Sequence, residues 1–257
     1  KNHDINIKSE NNFPHSSGIA SSASSMSALA SCLVDIEKLN SNQQDDTYYL
    51  KKKSFIARLG SGSASRSIEG PVTIWGESKS YPGSSNLFAI NISEDIDPIF
   101  QEYQNTILVI DPGVKKIPSS IGHKLMNENP FSKIRFNEAK KNITRLKDVF
   151  KSGHLDEFIN ITESEALMIH SLMLSSSPYF ILIKPNTLEV IQRILEYRRE
   201  TKNPVCFTLD AGSNVHLLYP NNIKSEVKNF IEDELLKFCK SKICIYDSLG
   251  SGSAKMI

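Results

Sequence analysis

Three short stretches of this 257-residue chain combine residue types that can do chemistry. The first is Ser16-Ser17-Gly18-Ile19-Ala20-Ser21-Ser22-Ala23, a run of small residues leading into apolar positions at helical spacing. Small side chains let the backbone approach an anion, and consecutive N–H groups can form a nest. A helix starting there adds about half a positive charge at its N-terminus. A phosphate fits such a turn, although it has neither the lysine of GxxxxGK[ST] nor the spacing of GxGxxG. The second stretch, Gly60-Ser61-Gly62-Ser63-Ala64-Ser65-Arg66, sets hydroxyls and amides beside a guanidinium, whose fork matches a carboxylate through two parallel hydrogen bonds. The third, Asp210-Ala211-Gly212-Ser213-Asn214, follows the apolar run Val205 to Leu209. A carboxylate at a strand's end beside glycine can reach a cleft and act as a base or orient a hydroxyl. Taken singly, each stretch also fits a plain helix cap or turn.

These groups need elements to carry them. Ile5 and Ile7 alternate with polar residues as in a strand, and the small-residue loop then leads to a helix marked by Met26, Leu29, Ala30, Leu33 and Ile36. A polar connector near 40–46, the segment Ser54 to Leu59, the Gly/Ser turn and a strand Val72 to Trp75 follow, with Tyr81-Pro82-Gly83-Ser84-Ser85 as a loop. The connectors near 40–50 and 76–86 are the expected mobile elements. From Thr106 strands and helices alternate: strand Ile107 to Ile110, helices around Phe131 to Phe150 and Glu163 to Leu174, and strand Tyr179 to Ile183. A helix at Val190 to Leu195, strand Val205 to Leu209, a helix from Val227 to Phe238 and strand Lys242 to Tyr246 complete the pattern of an α+β or α/β unit. The boundary between the halves is expected near 99–105. Leu-Gly-Ser-Gly-Ser-Ala occurs at Leu59 to Ala64 and again at Leu249 to Ala254, with flanks that do not match, so it is shared loop chemistry and no domain repeat.

Composition excludes whole classes of function. The 30 Lys+Arg against 29 Asp+Glu, with 39% hydrophobic and 23% charged residues, describe an ordinary globular protein. A formal charge of +1 removes the electrostatic reason to expect nucleic acid or a polyanionic membrane as partner. The longest apolar runs, Ile107 to Ile110 and Tyr179 to Ile183, are far below the ~20 residues that span a bilayer. Cys32, Cys206, Cys239 and Cys244 show no metal-ligand spacing and sit among apolar neighbours, which reads as buried thiols in a reducing, cytoplasmic compartment. The chain begins without Met in what reads as a strand already in progress, so it is expected to be the remainder of a longer protein.

Taken together, the stretches resemble one family. Asn11-Asn12-Phe13-Pro14 followed by Gly18-Ile19-Ala20-Ser21-Ser22-Ala23 resembles the phosphate loop of the GHMP kinase superfamily, in the version found in mevalonate diphosphate decarboxylases. Ala57 to Ser67, Glu165 to His170, Ser177 to Phe180 and Phe207 to Val215 agree in the same order across nearly the whole chain. One departure is Ser213, where many members have Pro or Ala.

The resemblance implies an α+β GHMP kinase fold. Its N-terminal domain is like the second domain of ribosomal protein S5 (residues 1–102 here, truncated at its start), its C-terminal domain is ferredoxin-like (103–257), and the site lies between them. It implies ATP-dependent decarboxylation of mevalonate diphosphate to isopentenyl diphosphate in the cytoplasm, with Mg²⁺ and ATP and with a homodimer as a common assembly. Asp210 becomes the catalytic carboxylate beside the substrate's tertiary hydroxyl, and Arg66 the contact to its carboxylate. Ser61, Ser63, Ser119 and Ser120 become substrate contacts; Ser17, Gly18, Ile19, Ala20, Ser21, Ser22 and Ala23 bind ATP phosphates, with Ser21 or Ser22 the hydroxyl near the metal or the phosphates and Ser22 the candidate metal contact. His170, Tyr179 and His216 read as packing or satisfied hydrogen bonds, and Lys51-Lys52-Lys53 as a solvated face. The alternatives are a relative that phosphorylates the 3-hydroxyl without decarboxylation, one that acts on the monophosphate, and, more remotely, a non-catalytic metabolite sensor; the presence of both Asp210 and Arg66 favours full decarboxylation.

Overall fold

A computed structural model of the protein describes residues 5–13, 19–41, 45–113 and 125–255. The first half is built on two helices, α1 (Ser21–Leu39) and α2 (Asp46–Gly60). They pack through small residues: Ala23, Ala30, Ala57, Ala64 and Ile68 form one buried cluster, against which Met26, Leu50 and Ile56 lie. Lys52 pairs with Glu37 and Lys53 with Asp35, so two lysines of the expected solvated run tie α2 to α1. The Asp45 carboxylate caps α2 by accepting from the N–H groups of Thr47 (3.0 Å) and Tyr48 (3.3 Å), a contribution of about 1 kcal/mol. A 3₁₀ turn, Gly62–Ser67, follows, and then a small antiparallel pair of strands, β1 (Thr73–Trp75) and β2 (Ala89–Asn91).

The second half is a four-stranded antiparallel sheet of β3 (Tyr103–Leu108), β4 (Cys206–Leu209), β5 (Val215–Pro220) and β6 (Cys244–Ser248), in the spatial order β4-β5-β3-β6. Between β3 and β4 lie α3 (Ser132–Ser152), α4 (Leu155–Leu174) and α5 (Pro185–Thr201); between β5 and β6 lies α6 (Lys224–Phe230). Strand, helices, hairpin, helix, strand in that order is the split βαβ arrangement of ferredoxin-like domains. Every pair in the sheet is antiparallel, so the unit is α+β. Its core holds Leu108, Val190, Ile194, Val205, Phe207, Leu217 and Ile231, each nearly or fully buried. A second cluster stacks Phe100, Tyr103, Phe150 and Phe158 edge to face where α3 and α4 meet the sheet.

Several expectations fail locally. Tyr179 to Ile183 alternates as a strand should, with Phe180 buried and Tyr179 and Ile181 exposed, but it joins no ladder. Its Phe180 N–H donates instead to the Met173 carbonyl, so burial of one aromatic produces the alternation without a partner strand. Ile5 and Ile7 are likewise exposed and outside any strand. The expected helix from Val227 to Phe238 is α6, a π turn (Ile231–Leu235) and a 3₁₀ turn (Leu236–Phe238), a change of pitch that apolar spacing does not reveal. The connector expected near 40–50 gives way to helix α2 at Asp46. The segment 76–86 is a loop as expected, and across it Trp75 Nε1–H donates to the Asn86 carbonyl, Gly76 N–H to the Ser85 carbonyl and Ser78 N–H to Ser84 Oγ. Of the cysteines, Cys206 and Cys239 are buried as expected, and Cys32 is exposed.

Candidate active site

The site begins where α1 begins. Ala20, the N-cap residue, takes a left-handed conformation (φ 55°) and its side chain makes no cap, while its carbonyl accepts from the N–H groups of Ala23 (2.9 Å) and Ser24 (3.2 Å). No carboxylate stands in the first turn. The N-terminus of this 19-residue helix carries a partial positive charge that favours an anion. Ser22 Oγ lies 3.2 Å from Ser61 Oγ, so α1 and the Gly/Ser turn meet through their hydroxyls. Among the described residues no group of three or more His, Cys, Asp or Glu side chains could hold a metal. A cation carried in by a triphosphate needs few protein oxygens, and the Ser22 hydroxyl is of the right kind. Ser17 and Gly18 lie outside the described residues.

The turn carrying Arg66 is tightly supported. Ser61 ends α2 and its carbonyl accepts from Ala64 N–H (2.9 Å). Buried Ser54 donates to the Ser65 carbonyl (2.9 Å) and accepts from Ala89 N–H (2.8 Å), joining α2, the turn and β2 through one hydroxyl. Ser65 Oγ donates to the Gly62 carbonyl, and Thr73 Oγ1 to the Arg66 carbonyl (3.1 Å). The Arg66 side chain is exposed and forms no ion pair among the described residues. Ala20, Ala23, Ser63 and Arg66 line one groove of about 470 Å³ together with Tyr103, Gln104, Leu249 and Gly250. A larger groove, of about 1040 Å³, shares Ala20, Ala23 and Arg66 and includes Ile19. Asp210 lines neither groove.

Asp210 stands exposed just past β4, at the head of a turn fixed from three sides. Its carbonyl accepts from Gly212 N–H (2.7 Å) and lies 3.0 Å from Nε2 of His170 on α4. Thr187 of α5 donates from Oγ1 to the Ser213 carbonyl (2.7 Å). The buried Asn214 accepts at Oδ1 from Asp111 N–H (3.0 Å), linking the turn to the end of the β3 segment. The Gly113 N–H, and then the Lys184 ammonium at 3.1 Å, hold the Asp111 carboxyl below the usual carboxylate range. Burial lowers the pKa of His170, so the ring is neutral near pH 7 and serves the Asp210 carbonyl as an N–H donor. The Ser213 side chain is buried, and the hydrogen bond to Thr187 uses only its backbone.

The structure thus joins Ser22 to Ser61 and sets Ala20, Ala23, Ser63 and Arg66 around common grooves. Ser119 and Ser120 lie outside the described residues. His170 is a satisfied hydrogen-bonding group, and His216 Nδ1 lies 3.3 Å from Asn105 Oδ1. Tyr179 is 71% exposed and does not pack as expected. Ser54, Thr187 and Asp111 were invisible to motif reading. Each acts on a partner far along the chain; the resemblance of Ala57 to Ser67 pointed to the neighbourhood of Ser54, and that of Phe207 to Val215 to the neighbourhood of Thr187 and Asp111.

Comparison with known proteins bears on the whole arrangement. Residues 1–87 match the family model described as diphosphomevalonate decarboxylase-like N-terminal domain, and residues 105–248 match the mevalonate 5-diphosphate decarboxylase C-terminal domain. A diphosphomevalonate decarboxylase of Ganoderma lucidum is 28% identical over 235 residues, which are 89% of this chain and 56% of that protein. The chain therefore spans little more than half the length of that relative. The crystal structure of a mevalonate diphosphate decarboxylase from Legionella pneumophila superposes with a TM-score of 0.76 at 30% identity, covering 91% of this chain and 69% of the other. The structure of MDDEF in complex with MVAPP, AMPPCP and magnesium gives a TM-score of 0.77 at 27% identity, over 93% and 68%.

Proposed function

The chain belongs to the diphosphomevalonate decarboxylase family, and on that premise we propose that the protein converts mevalonate diphosphate to isopentenyl diphosphate at the expense of ATP, releasing ADP, phosphate and CO2. One observation carries this reading. An exposed guanidinium with no ion pair among the described residues and the N-terminal turn of a long helix line one groove, so a carboxylate and a polyphosphate can be held side by side.

A tertiary hydroxyl is a poor leaving group, and transfer of the γ-phosphoryl of ATP to its oxygen makes it a good one. Asp210 orients that hydroxyl or takes its proton as the new O–P bond forms. When the C–O bond to the tertiary carbon breaks, phosphate leaves with the bonding pair. The electrons of the bond to the carboxylate then form the double bond, and CO2 departs. Arg66 holds the carboxylate in place until that step, with positioning as its first role because a cation next to a developing cation is unfavourable. Ser61 and Ser63 contact the substrate, as do Ser119 and Ser120. The backbone of residues 17–23 receives the triphosphate. The Ser22 hydroxyl would be available to Mg²⁺ bound with ATP, which would supply counter-charge to the triphosphate.

We place the division between the two functional domains at residues 102 and 103 and the reaction in the cytoplasm, with a homodimer as the assembly. Among the described residues no helix is long and apolar enough to cross a membrane. The test is an assay of the full-length protein with MgATP and mevalonate diphosphate, following ADP and isopentenyl diphosphate separately, with Asp210→Asn as control. Equal amounts of both products, abolished in the variant, support the decarboxylase. ADP with a stable phosphorylated intermediate identifies a kinase, and neither product redirects the search to the monophosphate or to a binding role.

A further inference from the structure

The second copy of Leu-Gly-Ser-Gly-Ser-Ala takes a conformation unlike the first. Leu59 to Ala64 ends a helix and opens a 3₁₀ turn. Leu249 to Ala254 leaves the edge strand β6 and crosses to the first half of the chain. Leu249 N–H still donates to the Tyr103 carbonyl (3.3 Å). Three residues on, Gly252 forms an antiparallel bridge with Glu69, and Ser253 directs both its N–H (3.1 Å) and its hydroxyl (3.3 Å) at the Ile68 carbonyl. Ser31 of α1 donates to the same Ser253 hydroxyl at 2.8 Å. One serine thus accepts from α1 and donates to the segment directly after Arg66, which uses its single O–H and a lone pair.

This crossing leaves no room for side chains. A Cβ at Gly70 would lie 2.0 Å from the Gly250 carbonyl oxygen, and one at Gly252 would lie 2.5 Å from that of Ile68. Gly252 also holds φ +94°, which L side chains rarely adopt. Leu249 and Gly250 line the groove that contains Arg66 and Ser63. The segment is therefore a tie among three elements, α1, the Arg66 turn and the β3–β6 edge, and it forms part of the groove wall.

We propose that Leu249–Ser253 is a positioning strap that fixes the Arg66 turn against the C-terminal sheet, with Ser253 as its lock. Its catalytic consequence rests on the proposed function, in which Arg66 grips the substrate carboxylate. Among the described residues Arg66 has no ion pair to aim it, so the course of its backbone sets where the guanidinium reaches. Gly252 and Ser253 line the larger groove beside Arg66, and their bonds run to Ser31, Ile68 and Glu69.

The test uses the full-length protein carrying Ser253→Ala, Ser253→Thr, Gly252→Val and Arg66→Ala. Losing the hydroxyl removes two hydrogen bonds, so Ser253→Ala raises the KM for mevalonate diphosphate about fivefold while the KM for ATP stays within about twofold. Ser253→Thr, which keeps the hydroxyl, restores the KM. In the Arg66→Ala background Ser253→Ala has no further effect, because the two changes act on one interaction. Amide exchange across 66–70 speeds by about tenfold in Ser253→Ala and more in Gly252→Val. Unchanged exchange in Ser253→Ala overturns the strap whatever the kinetics show. Equal rises in both KM values, or full additivity with Arg66→Ala, overturn its positioning role. An Arg66→Ala that leaves the substrate KM untouched while exchange still accelerates overturns the carboxylate-gripping role of Arg66 and leaves the tie itself standing.

Discussion

Nε2 of His170 lies 3.0 Å from the main-chain oxygen of Asp210, forty positions along the chain, so the backbone of the candidate catalytic aspartate is anchored from beneath by a buried imidazole. The exposed carboxylate is free to meet a ligand because its anchor uses the carbonyl. A cavity or a reversed donor at position 170 should therefore be felt at Asp210 without any direct contact to substrate.

His170→Ala should lower kcat by about tenfold or more with little change in the KM for ATP, and should cost about 1–3 kcal/mol of stability by removing one of the two hydrogen bonds to the Asp210 carbonyl and leaving a cavity beneath it. His170→Gln, whose amide can donate to the same oxygen, should recover most of both. Steady-state kinetics and denaturant unfolding read the two effects separately.

The same histidine gives stability a pH dependence with a defined sign. Burial holds its folded pKa below the unfolded value of 6.5, so below that pH the unfolded chain binds the proton more readily. Stability should therefore fall as pH drops from about 6.5 towards the lower folded value, and should level off once both states are protonated. In His170→Gln this portion of the pH profile should disappear. Unfolding free energies measured between pH 7.5 and 5 on both proteins check it; parallel curves would exclude His170 as the source.

Asp210→Asn should reduce turnover by about 10²–10⁴-fold, the range for losing a positioned acid–base group, with a change in unfolding free energy of less than about 0.5 kcal/mol. The small stability effect follows from geometry: the hydrogen bonds of the turn run through backbone atoms and through His170, Thr187 and Asn214, none of which the substitution removes. Release of ADP and of CO2 should be lost together. A variant that still forms ADP at the parent rate would remove Asp210 from the phosphoryl-transfer step.

The halves of this site were legible in the sequence to different degrees. Small-residue runs and a Gly-Ser-Gly-Ser-x-x-Arg turn show themselves locally, because their chemistry lies in consecutive residues, and the helices and strands around them follow from apolar spacing. The supports do not. Ser54, Thr187 and Ser253 are ordinary hydroxyl residues until the fold sets them against carbonyls 11, 26 and 185 positions away. Tyr179 to Ile183 misled for a related reason: alternation records which side chains are buried, and burial against α4 looks the same in sequence as burial in a sheet.

The last prediction concerns the strand that delivers Asp210. β4 is an edge strand, and the N–H of Phe207 on its open side is met by Glu163 Oε1 (3.3 Å), whose carboxylate also pairs with both terminal nitrogens of Arg198 at 2.6 and 3.0 Å. Arg198 in turn donates to the Val205 carbonyl (2.8 Å), so one ion pair between α4 and α5 closes the edge at two points. Both side chains are mostly buried, with 26% and 12% of Arg198 and Glu163 exposed. Glu163→Ala should therefore destabilise the fold by about 3 kcal/mol, since it strands a guanidinium and a backbone N–H in a region of low exposure. Glu163→Gln keeps an acceptor for Phe207 and should cost about half as much. Amide exchange should accelerate selectively from Val205 to Leu209 in Glu163→Ala; if that segment stays as protected as the rest of the sheet, the ion pair is not what secures the edge.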